Sequence, residues 1–323
     1  MKKRLAGVGA LFILVTMGLS GYVNAAEVTI NYVTFVNRMH LYAKTFQQSF
    51  GIIEERSNGR IKFNYRGGPE AIKIFAQAMA AKKGATDMVF TTPSFTGKLV
   101  KGPLMLTLSQ SPVAKHRETG LYAYLNEVYN PVGVQFIQMI PEAPGKIFRM
   151  LCKDKIEKTS DLKGKSLRGG DWMDAVAPAF DMKTVAIRHN EDYSGLERGI
   201  IDISRMTIGS MVVFKLHEVA KYLLSSGWGT APASLLMNIK KWNSIPKDLQ
   251  DLIIDTMYEL APQTEEKFKK EAEKNQALMI SKGVEVIKLQ DEEYFLKTAE
   301  SKMYDYFLKD NPEVAKKIYE LTH

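Results

Sequence analysis

The chain has 323 residues, 45% hydrophobic and 25% charged, which is ordinary globular composition with length for about two domains. Its net charge of +8 is spread along the chain, and the densest basic run, Lys267 to Lys274, is broken by Glu271 and Glu273; that pattern lacks the one-signed, aromatic-studded face of a nucleic-acid binder. The one cysteine, Cys152, excludes an internal disulfide, and the apolar run around it predicts a buried, inert thiol.

The N-terminus reads as a secretory signal over residues 1–25. Lys2, Lys3 and Arg4 form a basic n-region, Leu5 to Leu19 an apolar h-region, and Val23-Asn24-Ala25 the small residues that a signal peptidase reads. Gly18, Ser20 and Gly21 interrupt the run before it suits a membrane span. Cleavage before Ala26 or Glu27 would place the mature chain in the periplasm; an uncleaved N-terminal anchor is the alternative. Losing those three cations and no acid takes the charge from +8 to +5, a mild excess that suits an anionic small molecule.

Glu27 to Phe35 alternates and is rich in Val, Thr and Tyr, which predicts a first strand. A helix follows over Leu41 to Ser57, then a turn at Asn58-Gly59 and a strand from Arg60 to Tyr65. Gly67 to Ala71 opens onto a helix through Lys82, and Asp87 to Thr91 is a short buried strand. Strand, helix, strand, helix, strand at this spacing is an α/β pattern with a parallel sheet. Ligands of such sheets gather at the C-terminal strand ends, which nominates Asn37, His40, Thr92 and Ser94. Each of the four fits equally well as a capping or solvated loop residue.

The middle of the chain predicts a helical segment within Leu108 to Asn130 and strands over Val134 to Ile140 and Lys146 to Leu151. Ser160 to Arg168 is a polar turn tightening at Gly164 into a short strand that ends in Arg168, followed by Gly169 and Gly170. An arginine there can point into a crevice and hold a carboxylate with both arms of its planar fork; the spacing also fits a solvated surface arginine. Further expected elements are a helix over Trp172 to Phe180, a strand over Thr184 to Arg188, a helix over Glu191 to Arg198 and a strand at Ile200 to Ile203. Gly84-Ala85-Thr86-Asp87-Met88 and Gly199-Ile200-Ile201-Asp202-Ile203 repeat one pattern, which predicts two similar α/β lobes with a cleft between them. Ala233 to Ile239 predicts a strand that crosses back between lobes. From Pro246 to about Lys282 one long helix is expected, bent at Pro262, then a strand at Gly283 to Ile287 and a last helix from Asp291 to Leu308.

Enzyme motifs are missing. The five histidines show no HxxxH or HxxH pair, no G-x-S-x-G elbow occurs, and Gly164-Lys165-Ser166 has Thr159 where a phosphate loop needs its leading glycine. Glu191 and Asp192 are adjacent, so on a helix they point apart and serve as caps. No cofactor or metal site is expected. The rival classes are a secreted enzyme or adhesion-type protein acting on acidic substrates, and the binding protein of an ABC importer.

Several segments in order resemble the solute-binding proteins of tripartite ATP-independent periplasmic (TRAP) transporters, of the DctP, C4-dicarboxylate-binding type. Asp161 to Arg168 resembles that family's DLKGLKIR, Glu191 to Asp202 its EVYTALERGVVDG, and Asn58-Gly59-Arg60-Ile61 its TGGRI. Gly67-Gly68-Pro69-Glu70, Glu218 to Tyr222, and Asn238, Trp242 and Pro246 also fit, so the resemblance spans nearly the whole mature chain. It implies a two-lobed α/β periplasmic binding protein with hinge strands and a long lobe-spanning helix. Lobe I takes 26–145 plus 234–273, and lobe II takes 146–233 plus 274–323. It implies that Arg168 grips the carboxylate of an organic acid, that Asp171 and His189 face the ligand, and that a TRAP membrane permease is the partner of a monomeric receptor. The chain departs from the pattern at Ile203 and at Arg205, Met206 and Thr207, which makes the second side of the pocket, Met206 included, unusual. Trp172 beside the arginine, with Phe35 and Phe95 near other strand ends, leaves room for an aromatic or branched acid as well as a dicarboxylate.

Overall fold

A computed structural model describes residues 26–141 and 147–323; the signal-peptide reading over 1–25 and the expected strand start at Lys146 lie outside them. The chain begins with Val28–Thr34 (β1), Leu41–Arg56 (α1), Ile61–Gly67 (β2), Ile74–Lys83 (α2) and Met88–Thr91 (β3). One turn at Pro93–Thr96 (α3) and 3-10 turns at Pro103–Leu108 and Val113–Lys115 lead to Leu121–Tyr129 (α4) and Val134–Met139 (β4). Next come Phe148–Cys152 (β5), Ser166–Arg168 (β6), Met173–Val176 (α5), Lys183–Val185 (β7), Asp192–Glu197 (α6), Ile203–Thr207 (β8), Ile208–Val213 (α7) and Tyr222–Leu224 (β9). The chain returns with Ser234–Asn238 (β10), Ile239–Asn243 (α8) and Lys247–Glu259 (α9). It closes with Ala261–Ser281 (α10), Glu285–Ile287 (β11), Glu292–Leu308 (α11) and Pro312–Thr322 (α12).

These strands make two sheets. The first runs β2-β1-β3-β10-β4, with β1 parallel to β2 and β3 and β10 antiparallel to its neighbours. The second runs β11-β9-β5-β8-β6-β7, with β6 parallel to β7 and β8 and β5 antiparallel to β8 and β9. The continuous apolar run of β3 is buried throughout, as a strand covered on both faces requires. Along β5, alternation sends Met150 and Cys152 into the large core and Leu151 into a smaller cluster with Leu196, Met206 and Met211 under α6 and α7. Cys152 is buried, and burial pushes its thiol up, so it stays protonated.

The repeat read from the sequence has one physical cause in both sheets. Gly84 and Gly199 close their helical segments at φ +77° and +72°, a left-handed geometry that a side chain resists. Each is followed by an aspartate that ties down the neighbouring parallel strand, Asp87 at the middle of β1 and Asp202 at the start of β6. Asp87 accepts from the backbone N–H and the side-chain amide of Asn31 on β1 at 2.7 and 2.9 Å. Asp202 accepts from the N–H and hydroxyl of Ser166 on β6, both at 2.8 Å.

Several elements differ from expectation. The strand expected at Ile200 to Ile203 begins only at Ile203, because the N–H groups of Ile200 and Ile201 both donate back to the Gly195 carbonyl and finish the helix. Arg205, Met206 and Thr207 therefore lie within β8 and not beyond it. The single long helix is two, α9 and α10, with the break at Leu260; Pro262 has no N–H to donate and occupies the first turn of α10. The helix over Trp172 to Phe180 is one α-turn that tightens to 3-10 geometry at Ala177–Phe180, where Pro178 sits. The strand β9 and the last helix α12 were not anticipated. β9 exists through pairing with β5 and β11, while α12 starts on the Asn311 side chain, which accepts from the Val314 N–H ahead of Pro312. α10 packs on α7 and on the Val113–Lys115 turn, so it bridges both sheets; α12 packs on Pro103–Leu108 and α4.

His116 is wholly buried, and its Nε2 donates to the Ser111 carbonyl at 3.3 Å. Burial holds its imidazole down, from the ordinary 6.5 to about 4. The unfolded chain then takes up a proton that the native ring refuses, so stability is full above pH 6.5 and falls as pH drops toward 4, by on the order of 3 kcal/mol from this residue. Urea melts at pH 7 and pH 4.5 should show this loss. His116→Gln, which keeps an N–H for Ser111, should shrink it to the share of the remaining histidines; an unchanged loss would contradict the assignment.

Candidate functional site

Arg168 ends β6 and is 3% exposed. The chain turns away at once, which needs both glycines. A Cβ on Gly169 would stand 2.4 Å from the Thr184 Cβ and 2.5 Å from Asp174 Oδ1, and Gly170 has φ +93°. Arg168 Nη2 donates to the Arg205 carbonyl on β8 at 3.0 Å. Its Nε lies 3.4 Å from Asp192 Oδ2, poorly aligned, and makes no hydrogen bond.

Strand register places Ile203 beside Leu167, so alternation puts Ser204 on the Arg168 face and Arg205 on the other. Ser204 donates to Asp192 Oδ2. Asp192 opens α6 with no exposed surface, and its Oδ1 has no partner. Burial pushes its carboxyl up, opposed by Ser204 and by both arginines. Its neighbour Glu191 points outward and caps the turn by accepting from the Arg188 N–H at 2.8 Å, so the two acids do diverge.

Arg205 is the second buried guanidinium, also 3% exposed. It lies over the rings of Trp172 and Phe148, at 4.2 and 4.8 Å from their centroids, a contact that strengthens as water is excluded. Its Nη2 donates to Asp171 Oδ2. Burial draws its pKa down to about 10, which leaves it charged at neutral pH. Asp171 is anchored separately, since its Oδ1 accepts from the Met173 N–H at 2.9 Å. His189 shows open surface, yet burial among surrounding protein, and then Arg168 and Arg205, hold its imidazole down to about 4. The ring is therefore neutral at pH 7.

Of the residues nominated from the sequence, Arg168, Asp171, Trp172 and His189 come together here. Met206 packs with Leu151, Ile208 and Met211 in the smaller core. Asn37, His40, Thr92 and Ser94 lie at the ends of β1 and β3 in the other sheet. Asn37 is exposed and accepts from the Met39 N–H at 2.9 Å; His40 caps α1 by accepting from the Tyr42 N–H at 3.2 Å. Thr92 precedes α3 without a side-chain cap, and Ser94 is exposed. Phe35 packs on Phe90 and Phe95, and Phe95 on Phe75, so that end of the first sheet is aromatic. Sequence reasoning put Arg205 on the second side of the pocket without nominating it as a site residue, and it missed Asp192. The signal for Arg205 was a charged residue amid the apolar residues of a strand; for Asp192 nothing local marked its inward direction.

The arrangement can hold an anion: the Arg168 guanidinium is buried at the end of β6 beside the Arg205 carbonyl of β8, with little water around it. Among the described residues, no group of three or more His, Cys, Asp or Glu side chains is placed to hold a metal ion, and no helix is long and apolar enough to cross a membrane.

The family model of bacterial extracellular solute-binding proteins, family 7 (DctP), matches residues 32–310. A solute-binding protein of Albidiferax ferrireducens is 28% identical over 256 residues, 74% of this chain and 72% of that one. A TRAP periplasmic solute binding protein from Desulfovibrio salexigens, solved with bound orotic acid, superposes with a TM-score of 0.74 at 19% identity, over 91% of this chain and 97% of that one. Another from Rhodoferax ferrireducens, with bound malonate, gives 0.71 at 21% identity, over 90% and 96%. The two-lobed α/β fold is thus shared, and this chain belongs to family 7 of the bacterial extracellular solute-binding proteins.

Proposed function

We propose that the mature chain is a periplasmic receptor that closes on an organic-acid anion and delivers it to a TRAP membrane permease. The observation that carries this is the buried Arg168, held at a strand end by the bond from Nη2 to the Arg205 carbonyl while its Nε has no partner among the described residues. Closure of the lobes removes water from the carboxylate and strengthens its charge-assisted hydrogen bonds. The acids bound by the two solved relatives, orotate and malonate, support a carboxylate ligand.

The lobes in this reading are 26–145 plus 234–273 and 146–233 plus 274–323, with α12 reaching back onto the first. The receptor acts as a monomer, without cofactor or metal, and performs no chemistry on its ligand. The signal over residues 1–25 directs export and is then cleaved. Mass spectrometry of the exported protein should therefore find a chain starting at Ala26 or Glu27; a full-length, membrane-retained product would point to an uncleaved anchor.

Thermal-shift screening over organic acids should find ligands that raise the melting temperature by mass action, and nuclear magnetic resonance should recover them unaltered. A new product would point to an enzyme. For the best ligand, Arg168→Ala should weaken binding at least about 30-fold in calorimetry while the protein stays folded, since an unpaired buried charge costs roughly 2–5 kcal/mol. Affinity equal to wild type would refute the role of Arg168.

A further inference from the structure

The charge already held in the site restricts which acid it can take, given the carboxylate receptor proposed above. Its two guanidiniums are not equivalent. Arg205 is paired: the rings of Trp172 and Phe148 lie 4.2 and 4.8 Å from it, and Nη2 donates to Asp171 Oδ2. The Asp171 side chain is 32% exposed against 3% for Arg205, so the carboxylate stands between that cation and solvent. It occupies the place that a second ligand carboxylate would need. It also stays there on its own account, because Oδ1 is fixed by the Met173 N–H at 2.9 Å.

Arg168 differs in its acidic neighbour and not in its free donors, since the Nε of each arginine lacks a partner. Its acidic neighbour Asp192 lies on the interior side, with no exposed surface, and accepts from Ser204. Asp192 stands 3.4 Å from Nε without making a hydrogen bond, so of the Arg168 donors only Nη2 is taken, by the Arg205 carbonyl. Burial favours the neutral form of Asp192, and His189 carries no charge at neutral pH. The site thus presents one cation with no hydrogen-bonded carboxylate and one that is paired with Asp171.

We propose that Asp171 is a built-in counter-anion that fills the second carboxylate position, so that the receptor selects monocarboxylates over dicarboxylates. A dicarboxylate brings its second charge against Asp171 in a water-poor cleft, where like charges repel strongly and neither is compensated. Asp171 and Arg205 therefore set specificity, and Arg168 supplies the grip.

Calorimetry with the mature wild-type chain against pyruvate, lactate and benzoate, and against malonate and succinate, tests this without any variant. The best monocarboxylate should bind at least about 10-fold tighter than either dicarboxylate. Asp171→Asn keeps an oxygen for the Met173 N–H and frees Arg205; it should bring malonate or succinate up about 10-fold, and adding Arg205→Met should abolish that gain. Asp171→Ser is a second variant should the first fold poorly, with circular dichroism checking each. Equal wild-type affinity for both classes, or an unchanged preference in folded Asp171 variants, would overturn the proposal while leaving the carboxylate receptor standing. Failure of the wild-type chain to bind any of these acids, with thermal-shift screening over a wider acid panel also blank, would refute the receptor reading and the selectivity with it.

Discussion

Two guanidiniums are buried, one of them bonded to the other's backbone carbonyl, and this constraint shapes the second sheet. Isolated buried cations cost several kcal/mol each, so every neighbouring element contributes some compensation. β8 offers the Arg205 carbonyl to Arg168. Trp172 and Phe148 offer ring faces to Arg205, and Asp171 a carboxylate. α6 begins with Asp192, whose charge is itself poorly solvated and leans on Ser204. The two glycines after Arg168 follow from the same demand: only a chain without Cβ atoms can leave the strand end so sharply past Thr184 and Asp174.

The position of the cluster follows from topology. Parallel strands place their C-terminal ends along one edge, and the loops beyond those ends form the walls of a crevice. Both sheets use the same local device to hold that edge in register. An aspartate after a left-handed glycine, Asp87 or Asp202, fixes a backbone N–H of the adjacent strand. β10 then returns to the first sheet between β3 and β4, and α10 lies along both lobes. Rigid sheets linked by a few crossing segments suit hinge motion, because closure changes the crossings and not the packed interiors.

Much of this was legible in the residues. The α/β alternation, the helix-glycine-aspartate repeat, the crossing strand and Arg168 at a strand end all rest on local rules of periodicity, turn chemistry and backbone geometry. The errors share a cause too. β9 is three residues long and has no pattern of its own; it is a strand because β5 and β11 flank it. The start of β8 was misplaced because Ile200 and Ile201 have apolar side chains suited to a strand, while their N–H groups were already taken by Gly195. The Asn311-Pro312 start of α12 was readable and was overlooked.

By itself, the sequence determined the two-lobed class, the element order for most of the chain, and the placing of one arginine at a strand end, since these depend on contacts between residues near each other in the chain. Tertiary structure alone decided how the site's charges pair. Asp171 and Arg205 are 34 positions apart, and whether Asp171 faces a ligand or a neighbouring cation depends on how β6 and β8 pair. Asp192 turned inward for the same reason, as α6 packs on the face that carries Ser204. A carboxylate looks the same in sequence whether it contacts a ligand or neutralises a neighbour, and the distinction arises only when strands distant in sequence are laid side by side.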